Sequence, residues 1–321
     1  MSYKTIQQIL SSSPPIVEQY IEPKVLIEGS RLFIFGATGV GKSIIGQNIA
    51  FSLAKAVPWL GLKVPKPRTT LLIQGEIPQD EFWNRCHVMA EAYGVNLDED
   101  LGAPLYMWHN MDLQFDTRDG YRSICEAIED TGCDVLIADP LDKVMGGSID
   151  TGEDSKKARD VFDRLISEYG ISFVLIHNSR QGVIGDGGRK WNFGLDEARG
   201  HTILTQNWPD VSAQLIGKGE GELVLRWEKH RFGEIGPDIK MRLNVEGLLM
   251  QAESEPKEQV LSLLGKEPVE AAAFKEKIAV LLGVSVRQAE RYIESLIAER
   301  KVKAMPDPRA RNKRLYVRLD W

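Results

Sequence analysis

The chain has 321 residues, of which 43% are hydrophobic and 27% charged, and its formal net charge is −6. These proportions belong to a soluble globular protein and exclude a disordered or fibrous chain. No apolar run reaches the about eighteen residues of a membrane span, and Met1-Ser2-Tyr3-Lys4 lacks the regions of a signal peptide. Cys86, Cys125 and Cys133 form no CxxC pair, so reduced thiols in a cytoplasmic protein are expected. Charge is distributed unevenly. Residues 256–321 hold 14 Lys/Arg against 9 Asp/Glu, whereas the remainder holds 26 against 37. A basic appendage on an acidic body suggests an anionic partner for the tail, although most charge asymmetries are solvated surface.

Residues 1–22 read as an N-terminal arm, with Ser11-Ser12-Ser13-Pro14-Pro15 as a breaker. Its helical piece, Ile6 to Leu10, could pack on a neighbouring subunit or be a frayed terminus. Residues 23–250 then alternate apolar runs with amphipathic segments, the pattern of an α/β fold with a mostly parallel sheet flanked by helices. Strands are predicted at Leu32–Phe35, Thr70–Gln74, Val135–Ala138 and Phe173–Ile176, with helices near 42–56, 79–92, 118–130 and 153–168. After Gly200 the runs Val211–Ile216, Leu223–Trp227 and Ile239–Val245 read as antiparallel strands continuing one edge of the sheet. A linker is expected at 251–255 and a small basic domain at 256–321.

Between the first strand and the first long helix lies Gly36-Ala37-Thr38-Gly39-Val40-Gly41-Lys42-Ser43. Strand, glycine loop and helix are the context that a phosphate-binding loop requires. Glycines let main-chain N–H groups turn inward around an anion, and the helix N-terminus favours negative charge. Lys42 can reach the β- and γ-phosphates of ATP, and the Ser43 hydroxyl can complete the shell of a Mg²⁺ ion.

Polar residues at the carboxyl ends of parallel strands face the ligand crevice. Glu76, after the second strand, could polarise the water attacking a γ-phosphate. It could equally be an acid favouring the N-terminus of the helix at 79. Asp139 closes an apolar run and could hold Mg²⁺ through water, or could simply form a turn before Pro140. His177 follows the fourth strand, where a donor to the γ-phosphate would be useful, although a lone histidine is usually structural.

Residues Ser179 to Ala198 form a long loop carrying Arg180, Arg189, Lys190, Trp191 and Phe193. Cations along phosphates and aromatic faces under bases are the ingredients of single-strand binding, yet Trp191 and Phe193 could merely anchor the loop. Lys229 and Arg231, two residues apart beside an apolar strand, point to one side. They could serve a neighbouring subunit's nucleotide as an arginine finger, or be surface cations.

The ordered set of phosphate loop, Gly-Glu, Asp-Pro-Leu, His-Asn and Lys-x-Arg-x-Gly resembles RecA-like ATPases, and among them plasmid RepA-type and DnaB-type ring helicases. Ala198-Arg199-Gly200-His201-Thr202 resembles the turn those proteins carry after their DNA-facing loop. His177-Asn178 stands where a His-His pair is common, and His201-Thr202 where Ser-Ser is common. The resemblance covers about residues 24–250. It implies an ATPase core assembled around DNA, as a ring (a hexamer) or a helical filament. Lys42 and Ser43 would bind phosphate and Mg²⁺, Glu76 would be the base, Asp139 the metal-linked acid and His177 the sensor. Lys229 and Arg231 would act in trans.

In the tail, Glu258–Leu264, Glu270–Leu282 and Val286–Glu299 are helical patterns, followed by strands at Val302–Met305 and Leu315–Leu319. Three helices and a two-stranded hairpin resemble a winged-helix domain. Ser285 and Gln288 form a capping box. A buried stripe of Ala289, Ile293, Leu296 and Ile297 leaves Arg287 and Arg291 outward. With Arg309, Arg311, Lys313 and Arg314 on the wing, duplex DNA contact is one expectation and protein docking the other. The combined expectation is a DNA-dependent ATPase, a replicative or mobile-element helicase. Its alternatives are an ATP-switched DNA-binding regulator or loader, or a recombination mediator.

Overall fold

A computed structural model describes the chain apart from residues 1–2, 15, 96–100, 147–148, 180–194, 196–197, 220, 254–255, 266, 283–284, 309, 311–312 and 320–321. It divides into two units, Met1–Ala252 and Glu253–Trp321.

The first unit opens with α1 (Ile6–Leu10), started by a Thr5–Gln8 capping box, and a small antiparallel pair, β1 (Gln19–Ile21) and β2 (Leu26–Ile27). These strands are too short for periodicity to reveal. Yet Tyr20 and Ile21 are buried in the main core, so the body of the unit starts before residue 23. Then follow β3 (Arg31–Gly36), α2 (Lys42–Lys55), β4 (Thr70–Gln74), α3 (Gln79–Ala92), β5 (Leu105–His109), α4 (Arg118–Thr131), β6 (Val135–Asp139), α5 (Gly152–Tyr169) and β7 (Ser172–Asn178). A π-helical turn (Ile203–Asn207) leads to β8 (Val211–Gly219), β9 (Glu222–His230), β10 (Ile239–Asn244) and β11 (Leu249–Ala252).

The sheet has nine strands in the order β11-β10-β9-β8-β3-β7-β6-β4-β5. Its central strands are continuous apolar runs because both faces are covered. Leu32 and Ile34 of β3 pack with Ile45, Ile49 and Leu53 of α2 on one face. Phe33 and Phe35 pack with Ile124 of α4 and Phe162 of α5 on the other. Helices α4 and α5 begin where Thr117 and Thr151 accept hydrogen bonds from the main-chain N–H groups of Gly120 and Asp154.

Three expectations are corrected here. Strand β8 runs parallel to β3, so only β9, β10 and β11 are antiparallel to their neighbours. Gln251 and Ala252 belong to β11 rather than to a linker. Strand β5, an edge strand parallel to β4, was not expected, because its half-buried residues dilute the apolar signal. The three cysteines are unpaired, and burial pushes the Cys86 thiol up to about 12. Among the described residues no helix is long and apolar enough to cross a membrane.

The second unit contains α6 (Pro256–Ser262), β12 (Val269–Glu270), α7 (Ala271–Leu282), α8 (Val286–Ala298), β13 (Val302–Pro306) and β14 (Arg314–Arg318). The expected hairpin is a three-stranded sheet in the order β12-β14-β13, so Glu270 is strand rather than helix. Phe274, Ile278, Ala289, Ile293, Leu296 and Tyr316 form its core. Ile297 does not join them and is 37% exposed, because it lies at the end of the α8 stripe. The Ser285–Gln288 capping box forms as expected.

Candidate active site

Strands β3, β4, β5, β6, β7 and β8 are mutually parallel, so their carboxyl ends share one edge of the sheet. The glycine loop leaves β3 between β7 and β8 at that edge. Gly36 is required by close approach: a Cβ there would lie 2.5 Å from the carbonyl oxygen of Leu215 on β8. Gly41, with φ +98°, is the left-handed residue from which α2 starts, and no side chain caps that helix. The first N–H groups of α2 are therefore those a phosphate would satisfy.

Lys42 is buried and its ammonium donates to the carbonyl of Ala37 at 2.7 Å, within the loop it belongs to. Burial lowers its pKa, opposed by Asp139, Glu76 and Asp142. Ser43 donates to Asp139 at 3.2 Å, and the buried amide of Gln74 donates to the other carboxylate oxygen at 2.8 Å. Burial pushes the Asp139 carboxyl up to about 6, with Ser43 opposing the shift. A hydroxyl beside a carboxylate is a hard oxygen pair suited to Mg²⁺ that keeps part of its water. Among the described residues no group of three or more His, Cys, Asp or Glu could hold a metal by itself. Such an ion would therefore take its remaining ligands from water and phosphate. Glu76, just past β4, is exposed, at the same edge as Asp139.

His177 is fully buried on β7. Its Nε2 lies 2.7 Å from the carbonyl oxygen of Arg199 and therefore carries the hydrogen, while Nδ1 has no partner. Burial lowers its pKa to about 4. The neutral ring thus commits its one N–H to the segment that returns from the long loop. Folding suppresses protonation of His177, so stability that is full above about pH 6.5 is lost as pH falls towards 4. Chemical denaturation followed from pH 7 to pH 4 should show that loss, and His177→Gln should make the profile flatter. An unchanged slope in the variant would remove His177 as its source.

Ser179 and Ala198 pair as an isolated bridge, closing the neck of the loop between them. The N–H of Ser179 donates to the carbonyl of Gly36 at 2.8 Å, so this neck is tied to the first glycine of the phosphate loop. Arg180, Arg189, Lys190, Trp191 and Phe193 lie outside the described residues, as do Arg309 and Arg311 of the tail.

Lys229 and Arg231 do not join the cluster. Leu32 of β3 pairs with Val211, and Val211 and Ser212 pair with His230 and Lys229. Both cations therefore stand at the opposite edge of the sheet, about four strand residues or roughly 13 Å from Gly36. Lys229 donates to the carbonyls of Gln206 and Asn207, at 2.8 and 3.3 Å. Arg231 pairs with buried Asp210 and donates to the carbonyl of Asn207 at 3.1 Å. In the second unit Arg287 and Arg291 are exposed one turn apart on α8, as are Lys313 and Arg314, with Lys313 paired to Glu270 at 2.7 Å.

Two residues of this geometry were not anticipated: Gln74, which bridges towards Glu76, and Asp210, which holds Arg231. A polar side chain ending an otherwise apolar central strand was the available signal for Gln74. For Asp210, no local pattern announced a partner twenty-one residues away.

A glycine cradle at the carboxyl edge of a parallel sheet, with Lys42, Ser43 and Asp139 gathered around it, defines a P-loop nucleotide-binding domain of the RecA-like class. The chain belongs to the AAA domain family, whose model matches residues 4–182. Among solved structures, the ATPase domain of a helicase superposes with a TM-score of 0.53 at 11% identity, over 71% of this chain and 86% of that one. The RadB recombinase gives 0.47 at 14% identity, over 71% of this chain and 92% of that chain. A KaiC-like protein from the hyperthermophilic archaeon Pyrococcus horikoshii OT3 gives 0.47 at 12% identity, covering 73% and 94%. No curated protein matches.

Proposed function

We propose that this protein is a DNA-dependent ATPase that works as a homo-oligomer, a hexameric ring in the leading reading, and couples ATP hydrolysis to movement along single-stranded DNA as a helicase. The observation that carries the reading is the separation of Lys229 and Arg231 from the chain's own phosphate loop across the height of the sheet. Cations there cannot reach the nucleotide in cis but suit a neighbour's site in a head-to-tail assembly.

In this reading ATP lies on residues Gly36 to Ser43, Lys42 balances the charge of the β- and γ-phosphates, and Ser43 with Asp139 holds Mg²⁺. The ion draws charge from the phosphoryl oxygens as the terminal phosphate is displaced. Glu76 orients the attacking water and accepts its proton. His177 acts as the sensor by exchanging the Arg199 carbonyl for a γ-phosphate oxygen. Because Ser179 and Arg199 flank the loop at 180–197, that exchange moves the segment proposed to hold DNA through Arg180, Arg189 and Lys190. The second unit, read as a winged helix, contacts duplex DNA through Arg287, Arg291, Arg311, Lys313 and Arg314. The protein is expected to act in the cytoplasm.

The test is ATP turnover with and without single-stranded DNA, paired with a fork-unwinding assay. Stimulation by DNA together with strand separation supports the reading. ATPase without strand separation would favour an ATP-switched regulator or loader that uses the same basic face of α8. For that face, Arg287→Ala/Arg291→Ala should lower the slope of log affinity against log salt on duplex DNA by about 2. An unchanged slope would point to protein docking.

A further inference from the structure

We propose that Gln74 is a positioning residue of the hydrolytic site, a buried amide that uses Asp139 as its anchor to hold the main chain of Glu76 in place. This rests on the reading of Glu76 as the base.

Gln74 is the last residue of β4 and is completely buried. Its Nε2 donates to Asp139 Oδ2 at 2.8 Å. Its Oε1 accepts from the N–H of Glu76 at 2.7 Å and from that of Ile77 at 3.3 Å. The amide can face only one way: a carboxylate needs a donor and two N–H groups need an acceptor. Asp139 is its cross-strand partner on β6, so the anchor and the anchored residue share one register position. Main-chain bonds reinforce the junction, since Gly75 donates to the Asp139 carbonyl at 2.9 Å and Asn110 to the Gln74 carbonyl at 3.0 Å. Glu76 itself is exposed and follows Gly75, so its approach to a phosphate depends on how its main chain leaves the sheet.

Alternative side chains show why glutamine suits this position. An apolar residue would fill the volume but leave the N–H of Glu76 without the amide acceptor. A carboxylate would keep that acceptor but face Asp139 with like charge unless the two share a proton. Glutamine supplies donor and acceptor together without charge, and its full burial leaves neither to water.

The experiment compares Gln74→Met with the parent, with turnover expressed per nucleotide-binding site so that any unfolded fraction drops out. We expect kcat to fall about 30-fold, while KM for ATP and the Mg²⁺ concentration for half activity stay within about threefold. Because Gln74 acts through Glu76, adding Gln74→Met to Glu76→Gln should cost no more than about a further twofold. Gln74→Glu, which keeps the acceptor towards Glu76 and can share a proton with Asp139, should retain more activity than Gln74→Met. Full kcat in Gln74→Met, or losses that multiply in the double variant, would overturn the proposal while leaving Glu76 as the base. Full turnover in Glu76→Gln would instead sink the reading of Glu76 and this proposal with it.

Discussion

Replacing Lys42 with alanine is expected to reduce ATP turnover at least about 100-fold, because no other cation stands inside the glycine loop to balance the transferring phosphate. In the structure the ammonium is buried and satisfied only by the carbonyl of Ala37, a neutral acceptor that a triphosphate oxygen would outcompete through charge. The pKa of Lys42 is lowered by burial, and Asp139, Glu76 and Asp142 oppose that shift. Near-normal ATPase activity in Lys42→Ala would remove the site. Circular dichroism should show the fold intact, since alanine is a good helix former at the first position of α2. A folded variant that still binds ATP with parental affinity would also weaken the assignment, because the lysine should contribute to binding as well as to turnover.

Mixing two inactive variants is the second large effect. Arg231→Ala should lower turnover by on the order of 10³-fold if it acts on a transferring phosphate. An Arg231→Ala subunit keeps its phosphate loop, and a Lys42→Ala subunit keeps its Arg231. Equal mixing should therefore restore about a quarter of the interfaces in a head-to-tail assembly. No recovery, in mixtures shown by affinity tags to have co-assembled, would exclude catalysis in trans. Arg231 has a second partner set within its own chain: Asp210, whose side chain is 5% exposed, and the carbonyl of Asn207. Removing the arginine leaves Asp210 with the main-chain N–H of Arg31 at 3.1 Å and the Arg31 guanidinium at 3.8 Å. A melting temperature measured beside the activity separates the loss of this ion pair from the loss of the finger.

The residues gathered at the sheet edge were legible because each follows an apolar strand directly. Parallel strands bring their carboxyl ends together whatever lies between them in sequence. Lys42, Ser43, Glu76, Asp139 and His177 could therefore be read one strand at a time. The direction of β8 could not. An apolar run carries no sign of which way it pairs, and β8 lies parallel to β3 only because the chain crosses the sheet through residues 179–210 before entering it. That choice matters: it puts the β9 cations at the edge far from Gly36, and a reversed β8 would have brought them beside the loop.

The sequence by itself determined the glycine cradle, the order of strands and helices through Asn178, and the basic helix α8. These are local matters of spacing, periodicity and capping, carried by residues near one another in the chain. Only the tertiary structure decided what the polar groups do with one another. Gln74 binds Asp139 across 65 positions, His177 gives its N–H to Arg199, and Arg231 is held by Asp210. Hydrogen bonds between distant residues leave no periodic trace, because they depend on register and burial, and these exist only once the sheet has assembled.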